Sequence, residues 1–285
     1  MPVIAVLLAA FNGEKYIEEQ IKSILIQKDV LVHLYISVDF SRDATWDICQ
    51  GFSANNVYIL PYGSKYGSAS ANFFHLIESV KPGNYSAFAF ADQDDIWLDN
   101  KLISAWILLQ QKKSFAYSSN VQAFWESGRE KKIIKSQPQR KFDYFFESPG
   151  PGCTFVMLPS LYESIRTHIL QNPGFSVEHH DWWVYAWARH HGMTWVIDSR
   201  ALTRYRQHGQ NLVGANHGVR AKLRRIKLLL QGEFRRQVEE IAHACGCSDA
   251  QWKQMRSQLL GRPLQLRRKK TESLLMAGLL LVGLA

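Results

Sequence analysis

The chain has 285 residues, 46% hydrophobic and 12% aromatic, enough to bury a large core in one domain or in one domain with an appendage. Its net charge of +9 is confined to the end: residues 1–219 hold 20 Lys/Arg and 20 Asp/Glu, whereas residues 220–285 hold 14 and 5. Cys49, Cys153, Cys245 and Cys247 form no paired CxxC pattern, and Cys245-Gly246-Cys247 with nearby His243 lacks a second ligand pair, which argues against a structural zinc.

Val3 to Ala9 is a continuous apolar run, as in a strand buried on both faces, and no basic stretch precedes it. A cytoplasmic chain with reduced thiols is therefore expected. Phe11-Asn12-Gly13 breaks the run. Ile17, Ile21, Ile24 and Leu25 then recur at helical spacing through residue 27. Leu34–Val38 is the next expected strand, Asp43–Phe52 a helix and Val57–Leu60 a short strand. Ala69–Val80 carries Phe73, Leu76, Ile77 and Val80 on one helical face, Ala87–Ala91 is a strand, and a helix follows around Lys101–Gln110. This alternation predicts a mostly parallel, doubly wound α/β sheet. Ligands of such sheets bind at the carboxyl ends of strands, where Asn12, Asp39 and Asp92 fall. Residues 126–143 read as a basic, irregular connection, and Asp181–His191 as a helix rich in aromatics. The chain after Val219 reads as helical. Its apolar run from Leu274 to Ala285 is shorter than the roughly 20 residues a membrane span needs.

The densest chemical signal is Asp92-Gln93-Asp94-Asp95-Ile96-Trp97. Three carboxylates crowd a strand's end, and a hard divalent cation relieves such repulsion while leaving positions for substrate phosphates. Capping of the following helix by Asp95 or Asp99 would use the same residues differently.

Several segments, in order, resemble the inverting family 2 glycosyltransferases of GT-A fold, especially their bacterial rhamnosyltransferase-like branch. They are Leu7 to Tyr16, Asp39 with Ser41 and Asp43, Gly67 through Asn72-Phe73, Asp92 to Trp97, Gly152-Cys153-Thr154, His180-Asp181-Trp182-Trp183 and Tyr205 to Asn211. The resemblance covers roughly residues 3–213 and implies a GT-A domain over 1–219 with a basic helical extension over 220–285. It implies transfer of a sugar, rhamnose in this branch, from a nucleotide diphosphate donor to a saccharide or lipid-linked acceptor, with Mg²⁺ or Mn²⁺. Ala9, Phe11, Glu14, Asp39, Asn72, Asp92 and Gln93 are implied on the donor side, Phe11 stacking on the base or packing in the core. Asp92, Asp94 and His208 are implied around the cation, with Asp95 as their support. Gly152, Cys153, Thr154, Trp182 and Trp183 are implied on the acceptor side, one of the two tryptophans facing it.

Asp181 is implied as the base that takes the acceptor hydroxyl's proton, and an Asp there would also cap the helix from Trp182. The family pattern has an acid and a glycine where this chain has Val38 and Phe40, so a weakly active nucleotide-sugar-binding homologue is the first alternative. The basic tail offers a second, nucleic-acid binding, but no recognition motif accompanies it. Charge next to an apolar end instead points to peripheral contact with an anionic membrane, or to a helical end packed on the domain.

Overall fold

The computed structural model describes residues 1–54, 56–208 and 232–283. Gly209-Gln210-Asn211 of the last motif, the boundary at residue 219 and the basic stretch 220–231 lie outside them. β1 (Val3–Ala10) is the apolar run expected there. Its alternation divides the core: Ile4, Val6, Leu8 and Ala10 belong to one buried cluster, Ala5, Leu7 and Ala9 to the other.

The β1 edges pair in parallel with β2 (Leu31–Val38) and β4 (Ala87–Asp92), and β2 with β3 (Val57–Ile59). The remaining strands are β5 (Ile96–Trp97), β6 (Ala116–Trp125), β7 (Glu130–Ile133), β8 (Val156–Met157) and β9 (Trp195–Gln207). The order is β3-β2-β1-β4-β8-β6-β9-β5, with β7 beside β6. Antiparallel β8 joins the parallel half to the rest, and β6 and β9 run parallel.

Helices α1 (Ile17–Leu25), α2 (Thr45–Gln50) and α4 (Lys101–Lys112) accompany the Ile4 face. Helices α3 (Ala69–Ser79), α5 (Pro159–Gln171) and α6 (His180–His190) accompany the other. The first half follows the expected elements within a few residues. The connection at 126–143 holds β7, whose Lys131 and Lys132 mark it as a sheet edge formed by pairing with β6.

After Gly232 come α7 (Glu233–Ala244), α8 (Asp249–Leu260) and α9 (Lys270–Leu281). Ser248 and Gln251 form a reciprocal capping box that starts α8. Val238, Ile241, Trp252, Leu259, Leu266, Met276 and Leu280 are buried in the same cluster as Phe73, Phe88 and Trp183. These helices thus complete the core on the α3/α5/α6 face, and much of their charge is internally matched. Arg235 pairs with Glu239, Arg236 with Glu178 and Glu233, and Arg267 with Glu147 and Glu272. Arg268, 3% exposed, donates to Ser148 O at 2.7 Å and meets Glu147 at 3.1 Å. All four cysteines are free, and His243 turns to Asp249 at 2.9 Å.

Candidate active site

The carboxyl ends of β1, β2 and β4 lie side by side, Ala9 opposite both Ser37 and Asp92. The loop after β1 is laced to its neighbours. Phe11 N donates to Gln93 Oε1 at 2.7 Å, and Gln93 Nε2 returns a bond to Phe11 O at 2.9 Å. Asn12 takes a left-handed conformation, φ 45°, which Asn tolerates. Its N–H donates to Ser41 Oγ, and its Oδ1 accepts from Arg42 N. Gly13 N donates to Thr45 Oγ1 at 2.7 Å, Glu14 N to Asp43, and Ala44 N to Glu14. A Cβ on Gly13 would come within 2.3 Å of Gln93 Oε1, so any larger residue would push the Gln93 amide from its bonds to Phe11.

This wiring revises three expected donor contacts. Gln93 and Glu14 are committed to shaping the loop. Asp39, 4% exposed, accepts from Phe40 N at 2.7 Å, Tyr66 N at 2.8 Å and Gly67 N at 2.9 Å. Three N–H donors occupy most of a carboxylate's acceptor capacity, so Asp39 pins the loop at residues 66–67 instead of presenting a free carboxylate to a base. Asn72 is buried and donates to Ala10 O and Ser37 O, while its Oδ1 has no partner among the described residues. Phe11 and Phe40 are about half exposed, at 51% and 48%, which leaves ring faces for a nucleobase.

Beyond β4 the acidic turn is crossed by the end of β9. Arg206 N donates to Asp95 Oδ1 at 3.1 Å and Arg206 Nε to Asp94 O at 2.8 Å, while its guanidinium pairs with Glu19. His208 Nε2 lies 2.7 Å from Asp94 Oδ2, and its ring stacks on Tyr16 at 5.1 Å. Burial, followed by the Asp94 and Asp181 charges, lifts the Asp92 carboxyl to about 7. Burial, followed by the Asp94 and Asp92 charges, pushes Asp95 well above the carboxylate range. Such crowding is what a bound cation relieves.

Asp92, Asp95 and Cys153 offer ligand atoms within 4.8 Å of one another, but two of them suit the part poorly. Asp95 and Cys153 are fully buried, and burial pushes the thiol well up, away from its thiolate. Mg²⁺ and Mn²⁺ favour oxygen ligands. Asp92 and Asp94, the half-open pair beside His208, fit a hard cation that must also reach phosphate. Asp95 is buried beneath them and caps nothing: the N-cap of α4 is Asn100, and the first-turn Leu102 N donates instead to Gln27 Oε1 at 3.0 Å.

Across the site, Asp181 sits in the first turn of α6. The N-cap is His179, two residues earlier and without a side-chain cap bond, so Asp181 does not take the expected capping position. Asp181 Oδ1 accepts from Trp182 N at 2.7 Å. Ser148 Oγ is 3.4 Å from Asp181 Oδ2 but only 2.7 Å from Gly150 O. One hydroxyl proton serves the shorter contact, which leaves Asp181 Oδ2 available. Gly152 lies against this residue, where a Cβ would be 3.2 Å from Asp181 Cβ and 3.1 Å from His180 Nε2.

The acceptor-side expectations need correction. Trp183 is fully buried and Trp182 6% exposed. Their indoles donate to Ala244 O at 3.0 Å and Tyr144 O at 2.8 Å, and Trp182 stacks on Phe234. Neither offers a sugar platform, because α7 covers them. Cys153 and Thr154 are also fully buried, with the Thr154 hydroxyl donating to Pro151 O. The segment before Gly152 is held from far along the chain, Arg268 donating to Ser148 O some 120 positions away, a contact no local motif announces.

Residues 5–166 match glycosyl transferase family 2. The chain is 38% identical over 288 residues to "dTDP-rhamnosyl transferase RfbG" of Shigella flexneri, covering 97% of this chain and all of that one. It is 28% identical to the Escherichia coli "UDP-Glc:alpha-D-GlcNAc-diphosphoundecaprenol beta-1,3-glucosyltransferase WfaP" over 55% of this chain and 61% of that one. The crystal structure of S. aureus TarS 1-349 in complex with UDP-GlcNAc superposes with a TM-score of 0.59 at 17% identity, over 93% of this chain and 73% of that one, which shows a shared fold. Motif order, sheet topology and these similarities agree: the chain belongs to glycosyl transferase family 2.

Proposed function

We propose that the protein transfers rhamnose from a deoxythymidine diphosphate donor to a saccharide or lipid-linked saccharide, with inversion, in the synthesis of a cell-surface polysaccharide. The observation that carries this reading is the pairing of an uncommitted Asp181 oxygen with the Asp92–Asp94 turn across one cleft. Similarity to the dTDP-rhamnosyl transferase over nearly the whole chain supports the donor. Asp92 and Asp94 would hold Mg²⁺ or Mn²⁺, which supplies charge stabilisation to the departing diphosphate when bound. Phe11 and Phe40 flank the base, and Asn72 Oδ1 is an acceptor within the same edge. Asp181 Oδ2 takes the acceptor hydroxyl's proton as its oxygen attacks the anomeric carbon from the face opposite the diphosphate. The sugar passes through an oxocarbenium-like state.

A thermal-shift screen of dTDP and UDP, each with and without Mn²⁺, tests the donor. At a hundredfold excess over Kd a specific ligand adds about 2.7 kcal/mol, a rise of roughly 5–10 °C for a chain of this size. The expected result is a Mn²⁺-dependent rise with dTDP exceeding that with UDP. Equal or absent shifts would reject the donor assignment.

The C-terminal helix supports peripheral membrane contact. No helix among the described residues is long and apolar enough to cross a bilayer. Yet α9 turns Met276, Ala277 and Leu280 inward while Leu274, Leu275, Leu281 and Val282 stay 55–72% exposed. Lys269 and Lys270 stand at its start. An apolar face beside basic residues suits the interface of an acidic membrane. Removing residues 220–285 would strip Val238, Ile241 and Leu259 from the core, so deletion is a poor test. Leu274→Gln with Leu275→Gln leaves the buried face intact. Severalfold weaker co-sedimentation with phosphatidylglycerol vesicles is expected from this variant at unchanged thermal stability. Equal sedimentation of variant and parent would exclude the helix as the contact.

A further inference from the structure

The wall in front of Asp181 is the segment from Glu147 to Gly152, whose last residue lies against Asp181 and His180. Ser148 stands where this wall meets the base. Its hydroxyl is 2.7 Å from Gly150 O and 3.4 Å from Asp181 Oδ2. The hydroxyl has a single proton to give, so a small turn of Ser148 decides whether Asp181 Oδ2 is open or occupied. The main chain of Ser148 is fixed from the other end of the protein. Arg268 Nη2 donates to Ser148 O at 2.7 Å and meets Glu147 Oε2 at 3.1 Å, while Arg268 N donates to Glu147 Oε1 at 2.6 Å.

Arg268 is itself firmly placed. The buried Ser273 Oγ, in the first turn of α9, donates to Pro263 O at 2.8 Å and accepts from Leu266 N and Arg267 N at 3.0 Å each. Beside this turn Phe142 N donates to Gln265 O at 3.0 Å and Lys141 N to Gln265 Oε1 at 3.2 Å. From there the Arg268 side chain, 1% exposed, runs inward until Nη1 lies 3.7 Å from Asp143 Oδ2. Asp143 Oδ1 in turn accepts from Tyr185 Oη at 3.0 Å and Arg189 Nη1 at 3.3 Å, both on α6. One guanidinium therefore reaches the wall that faces the base and, through Asp143, the helix that carries it. As a source of stability this is a poor arrangement. Arg268 Nε and Nη1 have no hydrogen-bond partner among the described residues, and buried ion pairs offset their desolvation only with full pairing. A rigid planar fork is suited instead to holding separate acceptors at set distances.

We propose that Arg268 is a positioning residue for the transfer: by fixing Ser148 O it keeps the Ser148 hydroxyl on Gly150 O and leaves Asp181 Oδ2 open to the acceptor. This rests on the reading of Asp181 as the base. Arg268→Lys is the informative change, because it keeps a charge beside Glu147 and Asp143 but replaces the fork by a point donor on a shorter stem. Hydrogen exchange of the peptide spanning residues 147–152, read without ligand, is expected to speed up severalfold. Release of dTDP from dTDP-rhamnose is then followed with water as acceptor, the base taking the proton of the attacking water. Its rate is expected to fall about tenfold, as for a slight misplacement at a reacting centre, with the Mn²⁺-dependent Kd for dTDP within about twofold of the parent. On a Ser148→Ala background no hydroxyl can turn onto Asp181, and the same change is expected to cost less than about twofold. An equal cost in both backgrounds would show that Arg268 serves only the fold and would overturn the proposal, as would unchanged exchange and turnover in Arg268→Lys. Should Arg268→Lys fail to fold, Glu147→Gln loosens the same guanidinium, and the same pair of backgrounds decides on a smaller loss. Normal hydrolysis in Asp181→Asn would reject the base and this proposal with it. An inactive Asp181→Asn beside equal costs in the two backgrounds would reject this proposal alone. Exchange needs no donor, so a wrong donor would silence only the hydrolysis and leave the hold on Ser148 open to refutation.

Discussion

Asp181→Asn is expected to retain donor binding and to lose turnover by about 10²–10⁴-fold, the range general base help supplies. The substitution keeps the side chain's size and its Oδ1 bond to Trp182 N, so α6 should start normally. It replaces Oδ2, the atom left available because the Ser148 proton goes to Gly150 O. An amide nitrogen there cannot accept a proton. The loss should fall on kcat, with the Mn²⁺-dependent Kd for dTDP within about twofold of the parent. Removing the Asp181 charge also removes one of the fields that lift Asp92, so donor binding should if anything tighten. A variant that turns over normally with acceptor would return Asp181 to a purely local role in the first turn of its helix.

Asp94→Asn is expected to abolish Mn²⁺-dependent nucleotide diphosphate binding. Loss of a partner that merely orients metal ligands costs about 10–100-fold, and loss of a ligand should exceed that. The metal-free protein should behave differently. After burial, the Asp94 charge is the foremost cause raising both Asp92 and Asp95, so its neutralisation relieves repulsion inside the turn. The variant's midpoint without metal should therefore equal or exceed the parent's, even though His208 loses a charged partner at 2.7 Å. Improved stability with lost binding marks a site that holds like charges together for a ligand. A midpoint several degrees lower with Mn²⁺-dependent binding unchanged in calorimetry would assign Asp94 to structure.

The sequence was most readable where chemistry and local pattern coincide. β1 and β4 are unbroken apolar runs, and the carboxylates follow β4 directly, so strand, edge and site are all local features. β9 was hidden because its faces alternate irregularly around register shifts near Ser119 and Asn120, and a bulge cancels the period a strand is recognised by. Trp182 and Trp183 were misjudged for a different reason. They look like exposed aromatics until α7, some fifty residues later, covers them. Asp39 failed likewise: the N–H groups that occupy it belong to Tyr66 and Gly67, brought near by tertiary folding alone. Lys101 reads as a helix's first charged residue, yet its side chain is fully buried with Nζ 3.3 Å from the centroid of the Trp97 ring.

The burial of α7, α8 and α9 in the core also sets an order of events during synthesis. β1 to β4 pair through short crossovers and can assemble as they leave the ribosome. The face formed by Phe88, Tyr162 and Trp183 cannot close until residues 233–281 have emerged. At about 5–20 residues per second, translating some fifty residues leaves that apolar surface open for seconds. A nascent chain at that stage carries an assembled parallel half-sheet and an uncovered apolar face, the kind of surface that is prone to aggregate. The α3/α5/α6 face of the core is thus the last of the described parts to close.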